Sequence, residues 1–90
     1  MPVKGIREAV ADSFGLPKDV MMNMPKLSIG GNREVYIENY KGILEYTADE
    51  IRLSTTIGIV RICGKNLNID RIRLNDIFIS GYFRAVEYEL

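Results

Sequence analysis

The chain has no histidine, no tryptophan, one cysteine and three prolines in 90 residues. Each scarcity removes a class of chemistry. Without histidine the commonest general base and metal ligand at neutral pH is gone, and with it the Ser-His and Cys-His nucleophile pairs. The lone thiol, Cys63, has no second cysteine for an internal disulfide, which points to a reducing, intracellular setting. Charge of one sign is missing too. Twelve basic and twelve acidic side chains cancel, so no net field draws in nucleic acid or anionic lipid. No apolar run approaches the roughly 20 residues that cross a bilayer. The N-terminal stretch MPVKGIREAVADSFG is broken by charge too often for a signal peptide. Neither a P-loop nor a dinucleotide-binding glycine pattern is present, and Gly30-Gly31 stands alone as a turn. The pattern expected from these absences is a non-enzyme with no cofactor, no metal site and no small-molecule substrate.

What is present is ordinary globular composition, 47% apolar and 27% charged, enough for one domain over residues 1–90 with a single modest core. Its first part reads as helix. Val3, Ile6, Val10 and Phe14 fall at helical spacing with Lys4, Arg7, Glu8 and Asp12 mostly opposite, and Gly15 and Pro17 end the run. Mixed charge on that polar side argues against a lipid-bound helix. A further helical turn is expected from Asp19 into Met21, Met22 and Met24, whose thioethers read as adaptable packing rather than a soft-metal box, because neither Cys nor His stands near them. The helical segment is therefore placed at residues 1–24 and a β-domain at 26–90.

From Lys26 the period changes from helix to strand. Leu27 and Ile29 alternate with polar neighbours, Gly30-Gly31-Asn32 is a turn, and Val35 and Ile37 alternate with Glu34, Tyr36 and Glu38, giving a first hairpin. Asn39-Tyr40-Lys41-Gly42 reads as the next turn and Ile43 to Tyr46 as the next strand. Ile51 and Leu53 then pair by hairpin with Ile59 to Cys63 across Ser54 to Gly58. After a Gly64-Lys65-Asn66 turn, the apolar parity shifts from Leu67 and Ile69 to Ile72 and Leu74, which requires a bulge or bend near Asp70 and Arg71. Asn75-Asp76, Ile77 to Ile79, Ser80-Gly81 and a closing strand with Val86 and Tyr88 complete eight short runs. That rhythm predicts an all-β protein, a small antiparallel β-sandwich of short strands, Ig-like in size, behind a short amphipathic helix. A small β-barrel or β-solenoid is the alternative.

Three groups of side chains invite a functional reading. Glu34, Glu38 and Glu45 match no calcium-loop spacing and read as a solvated strand face. Cys63 closes a strand and reads as a small buried thiol. Arg52, Arg61, Arg71 and Arg73 would suit a nucleic-acid-binding barrel, but no aromatic shares their stretch, so they are expected to face water and offset acidic neighbours across the sheet.

Taken in order, Leu16-Pro17-x-Asp19-Val20, Met24-Pro25-Lys26-Leu27 through Gly31, Tyr36-Ile37-Glu38-Asn39-Tyr40-x-Gly42-Ile43-Leu44, Glu50-Ile51-Arg52-Leu53, Gly58-x-Val60-x-Ile62-x-Gly64-x-Asn66-Leu67 and Gly81 with Val86-x-Tyr88 resemble the YqfC branch of the YabP/YqfC sporulation-protein family. The resemblance spans nearly all of the chain from Leu16. It implies a small β-sandwich-like, non-catalytic protein of endospore-forming bacteria, made in the mother-cell cytoplasm during sporulation. It also implies work as an interaction module, peripheral to the membrane through a membrane-embedded partner of the YqfD type. Self-assembly through strand edges into a homo-oligomer is an alternative. The segment Glu38-Asn39-Tyr40-Lys41-Gly42 looks like the family's Ile-Glu-Asn region, where members commonly carry His at the position of Tyr40. That departure argues against a proton- or metal-linked role there. Those residues are the expected partner contact, with Asn39 and Gly42 needed for turn geometry.

Overall fold

The computed structural model describes residues 23–90. The expected helix over Pro2 to Phe14 and the turn starting at Asp19 lie outside the described residues. Asn23 and Met24 form a turn and bend that lead into the first strand. Among the described residues there is no helix, and the chain is all-β and antiparallel. Its strands are β1 Lys26–Gly30, β2 Glu34–Glu38, β3 Tyr40–Tyr46, β4 Glu50–Thr55, β5 Gly58–Ile72 and β6 Asp76–Glu89. They form one open sheet in the order β1-β2-β6-β5-β4-β3.

Eight apolar runs become six strands because two of the expected turns are bends inside strands. Ile59 to Cys63 and Leu67 to Ile72 are one strand, β5, and Ile77 to Ile79 continues past Ser80-Gly81 to Glu89 as β6. Glycine at the bend lets the two backbones touch. A Cβ at Gly64 would overlap the Tyr82 carbonyl oxygen, and one at Gly81, whose φ is 143°, would lie 2.8 Å from the Asn66 oxygen. Register slips between Cys63 and Gly64 and between Lys65 and Asn68 turn the ladder at this point, and Asn66 sits at a φ of 54°. The parity change at Asp70 and Arg71 is a third slip, between Ile69 and Arg71, where the sequence pattern places it.

The bend divides the sheet into two halves. Beyond it, β1, β2, the start of β6 and the end of β5 lie side by side; before it, β3, β4, the start of β5 and the end of β6 do. Both halves supply one core. Val35 and Ile37 of β2 and Ile77 and Ile79 of β6 pack with Ile51 and Leu53 of β4 and Val60 and Ile62 of β5, all at 2% exposure or less. Burying an aliphatic side chain of this size contributes about 1.5–3 kcal/mol before the entropy of ordering it. The inner faces therefore hold the two halves together as the layers of a sandwich do, although a continuous sheet joins them.

Candidate interaction surface

The segment Glu38 to Gly42 is a crossover rather than a hairpin turn, since β2 and β3 belong to different halves and are not neighbours. Only Asn39 lies outside the strands. Its φ of 65° is the left-handed region that Asn tolerates better than most residues. Its N–H donates to the Asn75 carbonyl at 2.6 Å, and its Nδ2 donates to the Met24 carbonyl at 3.0 Å. Asn39 thus ties the crossover to the β5–β6 turn and to the entry of β1. Gly42, expected in the turn, is within β3 opposite Ser54, where a Cβ would make ordinary contact with Ser54 Oγ at 3.4 Å. Gly42 has no positive φ, and the left-handed position of the crossover is Asn39.

Tyr40 is buried, and its hydroxyl donates to the Arg73 carbonyl at 2.8 Å. At the other end of β3, the Ile69 N–H donates to the Tyr46 hydroxyl at 3.0 Å. These two phenols span from β3 to the free edge at the end of β5, in the opposite half, and run antiparallel to it. No ladder joins those edges. At the Tyr40 end of the space between them is a shallow surface groove of about 580 Å³ bordered by Lys41, Ile43, Ile72 and Leu74. Of the nine large hydrophobic side chains exposed among the described residues, three, Ile43, Ile72 and Leu74, border this groove. Glu38, half-buried at the end of β2, pairs in register with Lys26 and Asp76, while Lys41 is exposed. The five expected contact residues therefore divide by role. Asn39 and Tyr40 hold the corner, and Glu38, Lys41 and Gly42 remain at its surface.

On the outer face of the half that contains β3 and β4 the arginines are engaged. Arg61 Nε is 2.6 Å from Glu50 Oε2 and its Nη1 3.0 Å from Glu87 Oε1, while Arg52 Nη2 is 2.9 Å from Glu89 Oε1. Arg52 and Arg61 are directly opposite across β4 and β5, so these carboxylates also offset a like-charge pair. The hydrogen bond from Arg61 holds the Glu50 carboxyl below the usual range, and the one to Glu89 raises Arg52. The expectation that arginines offset acidic strands holds for Arg52 and Arg61.

Arg71 and Arg33 behave differently. The register stacks Tyr36 on Phe78 at 4.2 Å between centroids and sets Arg71 over Phe78 at 5.5 Å, and Arg33 lies 4.2 Å over Tyr82. Sequence reasoning missed these pairs because the partners are on separate strands; only the β2–β6–β5 register brings them together. Tyr36 also donates to Asp76 Oδ2 at 2.8 Å, which raises the phenol above its ordinary value. Glu34 and Glu45 lie in different halves, and among the described residues no three His, Cys, Asp or Glu side chains are grouped so that they could hold a metal ion. Cys63 is buried, in keeping with a structural thiol. No helix among the described residues is long and apolar enough to cross a membrane.

The architecture defines a small, open-sheet β-protein with an apolar groove bordered by charge. The sequence model of the YabP family matches residues 22–90, and the chain belongs to that family. It is 37% identical over 73 residues to the Bacillus subtilis (strain 168) protein named "Uncharacterized protein YqfC", covering 81% of this chain and 78% of that relative.

Proposed function

We propose that this protein is a non-catalytic interaction module of sporulation. It acts in the mother-cell cytoplasm and docks on a membrane-embedded sporulation protein of the YqfD type. Family membership supports the sporulation setting. The observation that carries the interaction role is the gathering of exposed Ile43, Ile72 and Leu74 around one groove, since apolar side chains contiguous on a surface mark contact sites more often than scattered ones do. The docking contact is the corner where that groove lies, with Glu38 and Lys41 as its charged rim and Asn39, Tyr40 and Gly42 setting its shape.

Co-purification from sporulating cells through a C-terminal tag tests this. Recovery with a membrane-embedded sporulation protein, lost when that protein is deleted, is the expected result. Recovery only as a free species overturns stable docking. A nucleic-acid reading draws support from the Tyr36–Phe78 stack beneath Arg71, a geometry suited to bases, although Arg52 and Arg61 are held by carboxylates. Salt-dependent binding to an oligonucleotide is the result that would favour it.

A further inference from the structure

β1 is the outermost strand of its half and has β2 as its single ladder neighbour, so it turns backbone N–H and C=O groups away from the sheet. The other free edges are blunted. β3 has register slips and is bridged to the end of β5 by the Tyr40 and Tyr46 hydroxyls, and the end of β6 carries Arg84, Glu87 and Glu89. β1 pairs with β2 without a slip, and Lys26 is its one charge. The register sets Leu27 and Ile29 on the core face beside Ile37 and Val35, and Lys26, Ser28 and Gly30 on the outer face beside Glu38, Tyr36 and Glu34. Ile29 is 54% exposed despite facing the core, because no strand lies beyond it. On the outer face Glu34 leans over Gly30, its Oε2 3.3 Å from where a Cβ of that glycine would stand. Neither Lys26 nor Glu34 belongs to an ion pair among the described residues.

We infer that β1 is a pairing edge for a second copy of this chain, the two β1 strands lying antiparallel about a two-fold axis through Ser28. In that register Lys26 stands opposite the partner's Gly30, and Leu27 opposite the partner's Ile29. Opposed Cβ positions in an antiparallel ladder are about 4.5–5.5 Å apart, so the Lys26 ammonium passes over the side-chain-free Gly30 to the Glu34 carboxylate that leans across it. This ion pair forms twice, and its members share the outer face. The Leu27–Ile29 contact also forms twice, on the core face, and covers the exposed Ile29. Any extended strand would satisfy the backbone of β1; the order lysine, serine, glycine with a glutamate behind the glycine is what selects a reversed copy of itself. Pro25, which has no N–H, and the turn at Gly31, with a φ of 54°, end the strand, so the centred register is the one that uses all five residues. Because the axis uses the same edge on both copies, association closes at two. A five-residue ladder about 17 Å long is smaller than the roughly 800 Å² per partner of a standard stable interface, so the dimer is weak and forms in the micromolar range or above.

The β1 edge is separate from the groove at Tyr40, and purified full-length protein alone tests it. Sedimentation from about 10 µM to about 1 mM should show a monomer–dimer equilibrium with no larger species. Over the same range, amide hydrogen exchange should slow within Lys26–Gly30 and stay unchanged in β3. Ile29→Lys, which points a charge at the partner's Leu27 from a position already half exposed, should abolish the dimer and keep the thermal midpoint of the monomer. Lys26→Glu and Glu34→Lys, each checked for an unchanged circular dichroism spectrum, should each weaken dimerisation by about tenfold or more, because each sets two like-charge pairs across the axis. Combining them in one chain should restore the dimer, since the swapped charges again face their opposites. A monomer throughout the concentration range overturns the inference and leaves the edge to a strand of another protein. A dimer that leaves β1 exchange unchanged, survives Ile29→Lys, or is not restored by the double variant overturns it too. Docking on the membrane protein is read separately, by capture from cells, so either proposal can fail while the other stands.

Discussion

Asn39 carries two duties that a single substitution separates. Its φ of 65° disfavours residues with a Cβ, and its Nδ2 holds the Met24 carbonyl. Asn39→Ala loses both, at about 1–3 kcal/mol for the backbone strain and about 1 kcal/mol for the hydrogen bond. Asn39→Gly loses only the second, because glycine is indifferent to the sign of φ. Urea midpoints should therefore fall in the order wild type, Asn39→Gly, Asn39→Ala. Equal midpoints for the two variants would show that strain at the crossover is not what selects asparagine. Other side chains were readable from spacing alone. Val35, Ile37, Ile51, Leu53, Val60 and Ile62 are buried as their alternation requires. Tyr40 was not legible, because an aromatic residue between Asn and Lys looks like a turn until the opposite half brings the Arg73 carbonyl within reach of its hydroxyl.

At the scale of the element, the β5–β6 pair makes the fold, and its glycines are where it bends. The hairpins Lys26 to Glu38 and Glu50 to Cys63 were legible because both strands and their turn lie within a few residues of each other. Gly64 and Gly81 looked like turns by the same criterion and are bends. Turn and bend both call for glycine, and the distinction depends on Gly64 meeting Tyr82 and Gly81 meeting Asn66 across a ladder that local sequence does not encode. Gly81→Ala should cost about 1–3 kcal/mol from its φ of 143°, with the approach of the Asn66 oxygen adding to that. Gly31→Ala, in an open turn where a Cβ meets nothing within 4 Å, keeps only the φ penalty. Thermal unfolding of both variants separates the terms. A Gly81→Ala protein as stable as Gly31→Ala would mean that close approach does not constrain the bend.

Across the whole molecule, the absence of histidine gives stability a simple dependence on pH. Glu50 has its folded carboxyl lowered by Arg61, so its contribution is present above the ordinary carboxylate range and is lost as pH falls through the lowered folded value. Tyr36 is raised by its bond to Asp76, so its contribution is present below about pH 10 and is lost as pH rises through the raised folded value. Between these limits no histidine titrates in either state. Urea midpoints should be flat from about pH 6 to about pH 8 and fall on both sides, with Glu50→Gln flattening part of the acid limb. An inflection near pH 6.5 would contradict this.

The corner that holds the groove has members that hold the fold and members that meet a partner, and one comparison of tagged variants in sporulating cells separates them. Glu38→Lys with Lys41→Glu, which reverses the charged rim, should lose the membrane-embedded partner while the purified protein keeps its thermal midpoint. Tyr40→Phe, which removes the hydroxyl bridge to Arg73, should lower that midpoint and still recover the partner. Capture of the partner by the rim variant at wild-type levels would contradict the proposed docking site.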